Sequence, residues 1–179
     1  MKKNTQTGFL KIIENLILIH PLFYLICRKF ARYFNIYESD MHNLKNFIKK
    51  KINIIDIGAS DGISAKYFIK NFKVNKIYCY EPNKIYSKNL ENLKKKYSGK
   101  IILRKFKLIK KKINLIKIDT NGYEYEIIKS LQKQIVRDRP FIIIENNHQK
   151  YSIIKNLKKY DYLLKNMSQT NTLNLFFVP

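Results

Sequence analysis

Four acidic residues stand at the C-terminal ends of four successive apolar runs, and carboxylates of this kind can bind hydroxyl groups and accept protons. They are Asp56, Glu81, Asp119 and Glu145. In an open sheet of parallel strands, the C-terminal ends share one edge, and ligands and catalytic groups bind there. The chain has only 13 acidic residues against 36 basic ones. Four carboxylates at equivalent strand ends therefore indicate a functional site.

The first two of these acids flank a turn of small residues that suits an adenosine-containing cofactor. The segment 56–62 reads DIGASDG and leads into a predicted helix over 62–72. Glycines let the backbone approach a ligand at a helix N-terminus, and an acid about twenty residues further on, here Glu81, binds the ribose hydroxyls. Gly58 and Gly62 have G-x-x-x-G spacing rather than G-x-G-x-x-G, which argues against a pyrophosphate and therefore against NAD.

The third acid belongs to a second turn of the same kind. Asp119 ends an isoleucine-rich run, Gly122 follows in the turn, and Glu124 falls in the first turn of the next predicted helix. Helix capping by Asp119 and complementation of the helix dipole by Glu124 would explain each acid taken alone. Lys117 interrupts the apolar strand, so it needs a carboxylate partner or an exit to solvent.

The elements that would position these groups alternate along the chain. Strands are predicted at 52–57, 76–80, 100–106, 113–118 and 141–145, helices at 62–72, 84–97, 123–136 and 152–160, and a closing hairpin at 162–166 and 172–178. The early strands are almost continuous isoleucine, as expected when helices cover both faces of a parallel sheet. The pattern predicts a doubly wound, mostly parallel α/β sheet with an antiparallel C-terminal hairpin.

One connection does not fit this pattern. Only residues 107–112 separate the third predicted strand from the fourth, whereas a parallel crossover takes about ten residues or more. Either the strand at 100–106 pairs elsewhere, or a crossover helix is missing.

The formal net charge of +23 is carried mainly by lysine, because only five of the 36 basic residues are arginine. Lysine, asparagine and isoleucine have A/T-rich codons, so a biased genome explains much of the excess. Nucleic-acid readers favour the planar arginine fork, and we expect no specific nucleic-acid partner. An anionic membrane surface is at least as suitable a partner. The two cysteines, Cys27 and Cys79, have no metal or redox spacing, which fits a reducing, cytoplasmic compartment.

Residues 1–37 differ in character from the rest and form a predicted N-terminal helical extension, followed by a linker helix at 38–51 and the main domain at 52–179. The uncharged run 16–27 has twelve residues, which is too short to cross a bilayer. No cleavable signal pattern is present. Residues 8–34 either pack on the domain as a cap or lie on a membrane surface through apolar and basic faces, which would place the protein peripherally on the inner face.

The order of these motifs resembles that of the FkbM-type methyltransferases. The matching elements are D-I-G-A at 56–59 with Gly62, E-P at 81–82, K-I-D-x-x-G-x-E at 117–124, and R-P at 139–140 leading to Glu145. The resemblance covers about residues 52–150. It implies a Rossmann-like domain that uses S-adenosylmethionine to methylate a hydroxyl, often a sugar hydroxyl of a glycan or a glycosylated metabolite.

The resemblance also implies a role for each matched residue. On the cofactor side these are Asp56, Gly58, Ala59, Gly62 and Glu81; on the acceptor side they are Lys117, Asp119, Glu124 and Glu145. A sugar hydroxyl must lose its proton to a group within hydrogen-bond reach. We rank Asp119 first for that role, then His148 and Glu145. Together with Glu124, the same three groups could instead bind a divalent cation, although we assign no metal.

The chain departs from the family pattern at two places. Ser60 stands where the family commonly has asparagine, and the segment 107–112 lacks the helix and the loop that related proteins place beside the adenine. Three interpretations follow: a compact active enzyme, a homodimer that completes its site in trans, or a catalytically silent fold that serves as a binding or membrane-associated module.

Overall fold

The computed structural model describes residues 41, 44–103, 108–145, 148–165 and 174–179. The chain divides into two compact units, residues 1–39 and 40–179, and every described residue belongs to the second. The predicted extension at 1–37, including the membrane-contact segment 8–34, lies outside the described residues. Of the predicted linker helix at 38–51, a short helix α1, Leu44–Phe47, is described.

Seven strands and six α-helices make up the described domain. The strands are β1 Ile52–Ile57, β2 Val74–Tyr80, β3 Ile101–Leu103, β4 Leu115–Ile118, β5 Phe141–Glu145, β6 Leu163–Lys165 and β7 Asn174–Val178. The further helices are α2 Ile63–Asn71, α3 Ser87–Lys96, α4 Glu124–Ser130, α5 Gln132–Asp138 and α6 Lys150–Lys158, and a 3-10 turn, Lys84–Tyr86, precedes α3.

The strands form one sheet in the order β3-β2-β1-β4-β5-β7-β6. The first five strands in this order are parallel to one another, and β7 runs antiparallel to both β5 and β6. The prediction of a doubly wound, mostly parallel sheet with an antiparallel C-terminal hairpin is thereby confirmed. Strand order reverses between β1 and β4, which is the position where open sheets of this type bind ligands.

Alternate residues of the central strands fill two separate cores. Ile54, Ile77 and Leu115 pack on one face with residues of α2 and α3. Ile55 and Ile116 pack on the opposite face with residues of α5 and α6. Apolar residues on both faces explain why these strands are almost purely isoleucine.

The connection is longer than the sequence predicts, because the strands predicted at 100–106 and 113–118 are shorter in the structure. Strand β3 ends at Leu103 and β4 begins at Leu115, so the crossover 104–114 has eleven residues, about the length that a parallel connection needs. Strand β3 pairs with β2 at the edge of the sheet. Within the described part of the crossover, residues 108–114, there is no helix. Instead Ile109 and Ile113 are buried against the second face of the sheet.

Polar side chains of α5 hold this crossover in place. The backbone N–H groups of Ile109 and Ile113 donate to Gln134 Oε1 (3.0 Å) and Asp138 Oδ2 (2.8 Å). Arg137 donates to the carbonyl of Ile109 (2.6 Å) and to Asp138 Oδ1 (2.7 Å). Burial raises the pKa of Asp138, but the hydrogen bonds from Arg137, Ile113 and Gln134 outweigh it and lower the pKa. These backbone groups of Ile109 and Ile113 are therefore hydrogen-bonded without a helix in the described part of the crossover.

The single helix predicted over 123–136 is instead two helices, and its prediction was wrong in that respect. Backbone ψ at Leu131 is 0°, between the end of α4 and the start of α5. The hydroxyl of Ser130 donates to the carbonyl of Ile127 (2.7 Å), a local bond of the type that weakens or bends helices.

Candidate active site

The first glycine turn brings the ends of three strands together. Gly58 has a φ of +77°, and its N–H donates to the carbonyl of Tyr80 at the end of β2 (3.0 Å). A Cβ atom at this position would lie 1.7 Å from the carbonyl oxygen of Asp119, just beyond β4. Only glycine allows the chain to pass this closely. Ala59, the next residue, is buried.

Glu81 ties this turn to the loop that follows β2. Its Oε2 accepts a hydrogen bond from the N–H of Ser60 (2.8 Å), and its Oε1 accepts one from the N–H of Asn83 (2.8 Å). Ser60 has a φ of +48°, in the left-handed region that asparagine adopts more readily than serine. The positive φ is a physical reason why resembling proteins commonly have asparagine at this position.

Asp56 is fully buried at the end of β1. The hydroxyl of Ser64 donates to its Oδ2 (2.6 Å), whereas no described group donates to its Oδ1. Burial raises the pKa of Asp56, and the charge of Lys117, its register partner on β4, acts in the opposite direction. The site thus holds a carboxylate oxygen that a donor could still satisfy.

Lys117 and Asp119 form a partly buried ion pair of 2.9 Å. The Lys117 side chain is 3% exposed and that of Asp119 is 29% exposed, so the carboxylate remains accessible while the ammonium group is enclosed. The carboxylate partner that the sequence required for Lys117 is therefore present. This pair fixes the orientation of the Asp119 carboxylate at the end of β4.

The carboxylate of Glu124 is turned into the loop that carries Asp119. It accepts hydrogen bonds from the N–H and hydroxyl of Thr120 (2.9 and 3.1 Å) and from the N–H of Gly122 (3.0 Å). Burial would raise the pKa of Glu124, but these bonds and its own backbone N–H outweigh burial and lower the pKa. Glu124 shapes the turn, and its predicted contact with a substrate stays a prediction.

Glu145 and His148 reach the same turn from the end of β5. The Glu145 side chain lies near the carboxylate of Asp119, whose charge helps to raise the pKa of Glu145. The exposed His148 lies above Gly122, with Cε1 3.8 Å from where a Cβ of that glycine would stand. The three groups ranked as proton acceptors, Asp119, His148 and Glu145, therefore lie around one turn.

Sequence reasoning missed Gln149, which joins the two loops. Its Oε1 accepts from the N–H of Tyr125 (3.0 Å), and its Nε2 donates to the carbonyl of Gly122 (2.8 Å). A glutamine before a helix has no distinctive sequence signal, because only the fold brings α4 beside α6.

The Glu145 side chain provides a test that needs no substrate. Burial first, and then the charges of Asp119 and Glu124, raise its pKa in the folded protein. Between the unfolded and folded pKa values the folded state binds more protons, so the stability of the native protein falls as pH rises through that window. At pH 7 we expect Glu145→Gln to have a higher melting temperature than the native protein. This difference should shrink as the pH is lowered to about 4. Thermal unfolding between pH 4 and 8, with Glu126→Gln as control, measures this; an advantage that does not change with pH contradicts it.

Neither a metal centre nor a membrane span is evident in the described part of the chain. Within residues 41–179, apart from the gaps given above, no three His, Cys, Asp or Glu side chains are grouped so as to hold a metal ion. Likewise, none of the described helices has the length and apolar character needed to cross a bilayer.

The fold is the one that solved Rossmann-like methyltransferases share. A methyltransferase FkbM from Methylobacillus flagellatus KT matches with a TM-score of 0.61 and 16% identity over 77% of this chain and 48% of its own. The ribosomal protein L11 methylase of Lactobacillus delbrueckii subsp. bulgaricus matches with a TM-score of 0.61 and 17% identity, over 77% of this chain and 75% of its own. M. capricolum TrmK, solved with S-adenosylhomocysteine, matches with a TM-score of 0.55 and 16% identity, over 78% of this chain and 66% of its own. At these identities the likeness establishes the fold.

A family model adds evidence from sequence. Residues 98–168 match the methyltransferase FkbM domain, which confirms the resemblance to FkbM-type methyltransferases over that range. The range contains Asp119, Glu124, Glu145 and His148, and it begins after the glycine turn. No curated protein matches the chain at a significant level. The chain spans about half the length of the FkbM methyltransferase structure that it matches.

Proposed function

We propose that this protein is an S-adenosylmethionine-dependent O-methyltransferase whose acceptor is a sugar hydroxyl of a glycan or a glycosylated metabolite. The observation that carries the proposal is the position of Glu81. Its carboxylate closes the glycine turn through Ser60 and stands at the end of β2, where a sheet of this type binds a ribose.

The described residues fit the cofactor. Each carboxylate oxygen of Glu81 accepts one backbone hydrogen bond and retains a lone pair for a ribose hydroxyl. The buried Oδ1 of Asp56 suits a cationic amino group, and Gly58, Ala59 and Gly62 form the turn between these acids. When bound, S-adenosylmethionine supplies a methyl group activated by a sulfonium.

The acceptor side would be formed by the ends of β4 and β5. Asp119 is oriented by Lys117 and is our first choice to take the proton of the acceptor hydroxyl, because a base must lie within hydrogen-bond reach of that proton. Glu145 and His148 surround the same turn and can pass the proton on to solvent. A glycan acceptor would place the protein in polysaccharide biosynthesis, in the cytoplasm or peripherally on the inner face of the membrane.

The alternative is a catalytically silent fold that serves as a binding or membrane-associated module. It is motivated by the crossover 104–114, which has no helix in its described part and lies where resembling proteins enclose the adenine. A homodimer could supply the missing cover from a second copy. Binding of the cofactor product separates these alternatives.

We expect S-adenosylhomocysteine to bind the full chain with micromolar affinity and Glu81→Ala to weaken binding roughly a hundredfold, since two hydrogen bonds to a charged group are lost. Calorimetric titration measures this. The matched control is Glu91→Ala, which removes an exposed acid of α3 that pairs with Lys94. Absence of binding by the folded native protein would refute the enzyme proposal and favour the silent module.

A further inference from the structure

The two ends of the parallel sheet differ in charge: carboxylates accompany the lysines at one end, and lysines predominate at the other. The C-terminal ends of the strands, here called the rim, hold the carboxylates of Asp56, Glu81, Asp119 and Glu145. The N-terminal ends of β1 to β5, here called the basal edge, adjoin three lysine triplets, at 49–51, 94–96 and 110–112. All nine lysines are exposed.

Backbone hydrogen bonds place lysines along the basal edge in the order of the sheet. The carbonyl of Lys100, before β3, accepts from the N–H of Ile77 in β2, and that of Lys73, before β2, accepts from Ile52 in β1. The carbonyl of Lys112 accepts from the side chain of Asn53 at the start of β1 (2.8 Å). Neighbouring strands are about 4.8 Å apart, so the starts of β3, β2, β1 and β4, with the lysines beside them, span roughly 15 Å.

Genome composition can set the number of lysines but not their position. Complementation of helix dipoles accounts for Lys94, Lys95 and Lys96, which form the last turn of α3. It does not account for 49–51 or 110–112, which lie in loops. Among the described residues, the acids at this edge are Asp138, which is paired with Arg137, and Asp161. The basal edge is therefore strongly cationic.

We propose that the basal edge docks on an anionic membrane surface, with the rim facing away from the lipid. Lysines near an anionic leaflet are attracted to it additively. The rim, where carboxylates offset the lysines, is attracted less, so the difference in charge sets the orientation. Phe47, 44% exposed beside the triplet 49–51, adds an apolar contact. The docked protein would keep its candidate active site open to the aqueous phase.

A nucleic acid fits this surface less well. Single strands bind where bases can stack on aromatic side chains. The most exposed described aromatics are Tyr123, just before α4, and Tyr151 in α6, and both lie near the rim. A nucleic-acid substrate would also have to reach the rim, which is a strand length of about 20 Å from the basal edge.

The test compares two triple variants of the full chain with the same net charge. Lys110, Lys111 and Lys112 become glutamine in the basal variant; Lys84, Lys88 and Lys150, at the rim ends of α3 and α6, become glutamine in the control. Cosedimentation is measured with phosphatidylcholine vesicles with and without phosphatidylserine. We expect the native protein to bind only the anionic vesicles, the basal variant to bind them about tenfold more weakly or worse, and the control to change about twofold at most.

A second basal variant, Lys49, Lys50 and Lys51 to glutamine, should repeat the loss if the first variant fails to fold. Equal losses in basal and control variants would overturn the proposal, because net charge alone would then explain binding. It would also be overturned by unchanged binding of the basal variants, which would assign membrane contact to another part of the chain. Finally, the proposal would be overturned if the protein bound an oligouridylate more tightly than the vesicles and did so through the same lysines.

Discussion

Replacing Asp119 with asparagine is expected to lower the rate of methyl transfer by about a hundredfold or more, the usual contribution of a positioned general base. The amide keeps the shape of the side chain but cannot take the acceptor proton. Affinity for S-adenosylhomocysteine should stay within about threefold of the native value, because Asp119 is placed on the acceptor side and each tenfold in affinity needs about 1.4 kcal/mol. Release of S-adenosylhomocysteine with a panel of saccharide acceptors measures the rate.

The control for Asp119→Asn is Glu126→Gln, which makes the same chemical change at an exposed acid of α4 paired with Lys129. Asparagine also removes the ion pair between the enclosed Lys117 and Asp119, so the melting temperature of each variant must be measured. Equal turnover by Asp119→Asn and the native protein would remove Asp119 from the chemistry. A folded variant with strongly weakened cofactor binding would move it to the cofactor side.

Replacing Gly58 with alanine is expected to lower the free energy of unfolding by about 3 kcal/mol or more. The added Cβ would overlap the carbonyl oxygen of Asp119 at 1.7 Å, and neither backbone can move without disturbing the ends of β1 and β4. A positive φ adds strain for any residue with a side chain. Urea unfolding measures the loss, and cofactor binding should disappear with it.

Gly99 provides a matched control for the steric part of this effect. Its φ is +78°, almost the same as that of Gly58, but a Cβ there would meet no atom within 4 Å. Gly99→Ala should therefore lose only the cost of the backbone conformation, about 1 kcal/mol. Equal losses at the two positions would show that the close approach of Gly58 to Asp119 contributes nothing.

The fold could be predicted well because its signals are local. β1 and β5 were predicted with their observed bounds, since each is a short apolar run between polar turns. The reversal of strand order and the position of β3 were not predictable, because they depend on which distant strands pair. The gap at 107–112 was too short because the third and fourth strands were predicted too long; β3 ends at Leu103 and β4 begins at Leu115.

The site was predictable as a set of residue types and less so as a set of contacts. The grouping of the acids follows from the topology, because parallel strands end at one edge of the sheet. The ion pair of Lys117 follows from the need of a buried cation for a partner. The inward orientation of Glu124 and the bridge made by Gln149 depend on a turn and a helix contact that the chain forms only when folded. Sequence therefore predicted which residues lie near one another, and it could not separate groups that are available to a ligand from groups that shape the loop.

The attachment of the crossover to α5 has a consequence for how this protein can vary. Gln134, Arg137 and Asp138 bind peptide N–H and carbonyl groups of Ile109 and Ile113, which every residue except proline provides in full. The exposed positions between these two isoleucines can therefore exchange side chains while their anchorage persists, whereas the three anchoring residues cannot change independently. Selection can alter the outer surface of this loop without rebuilding the domain that carries it.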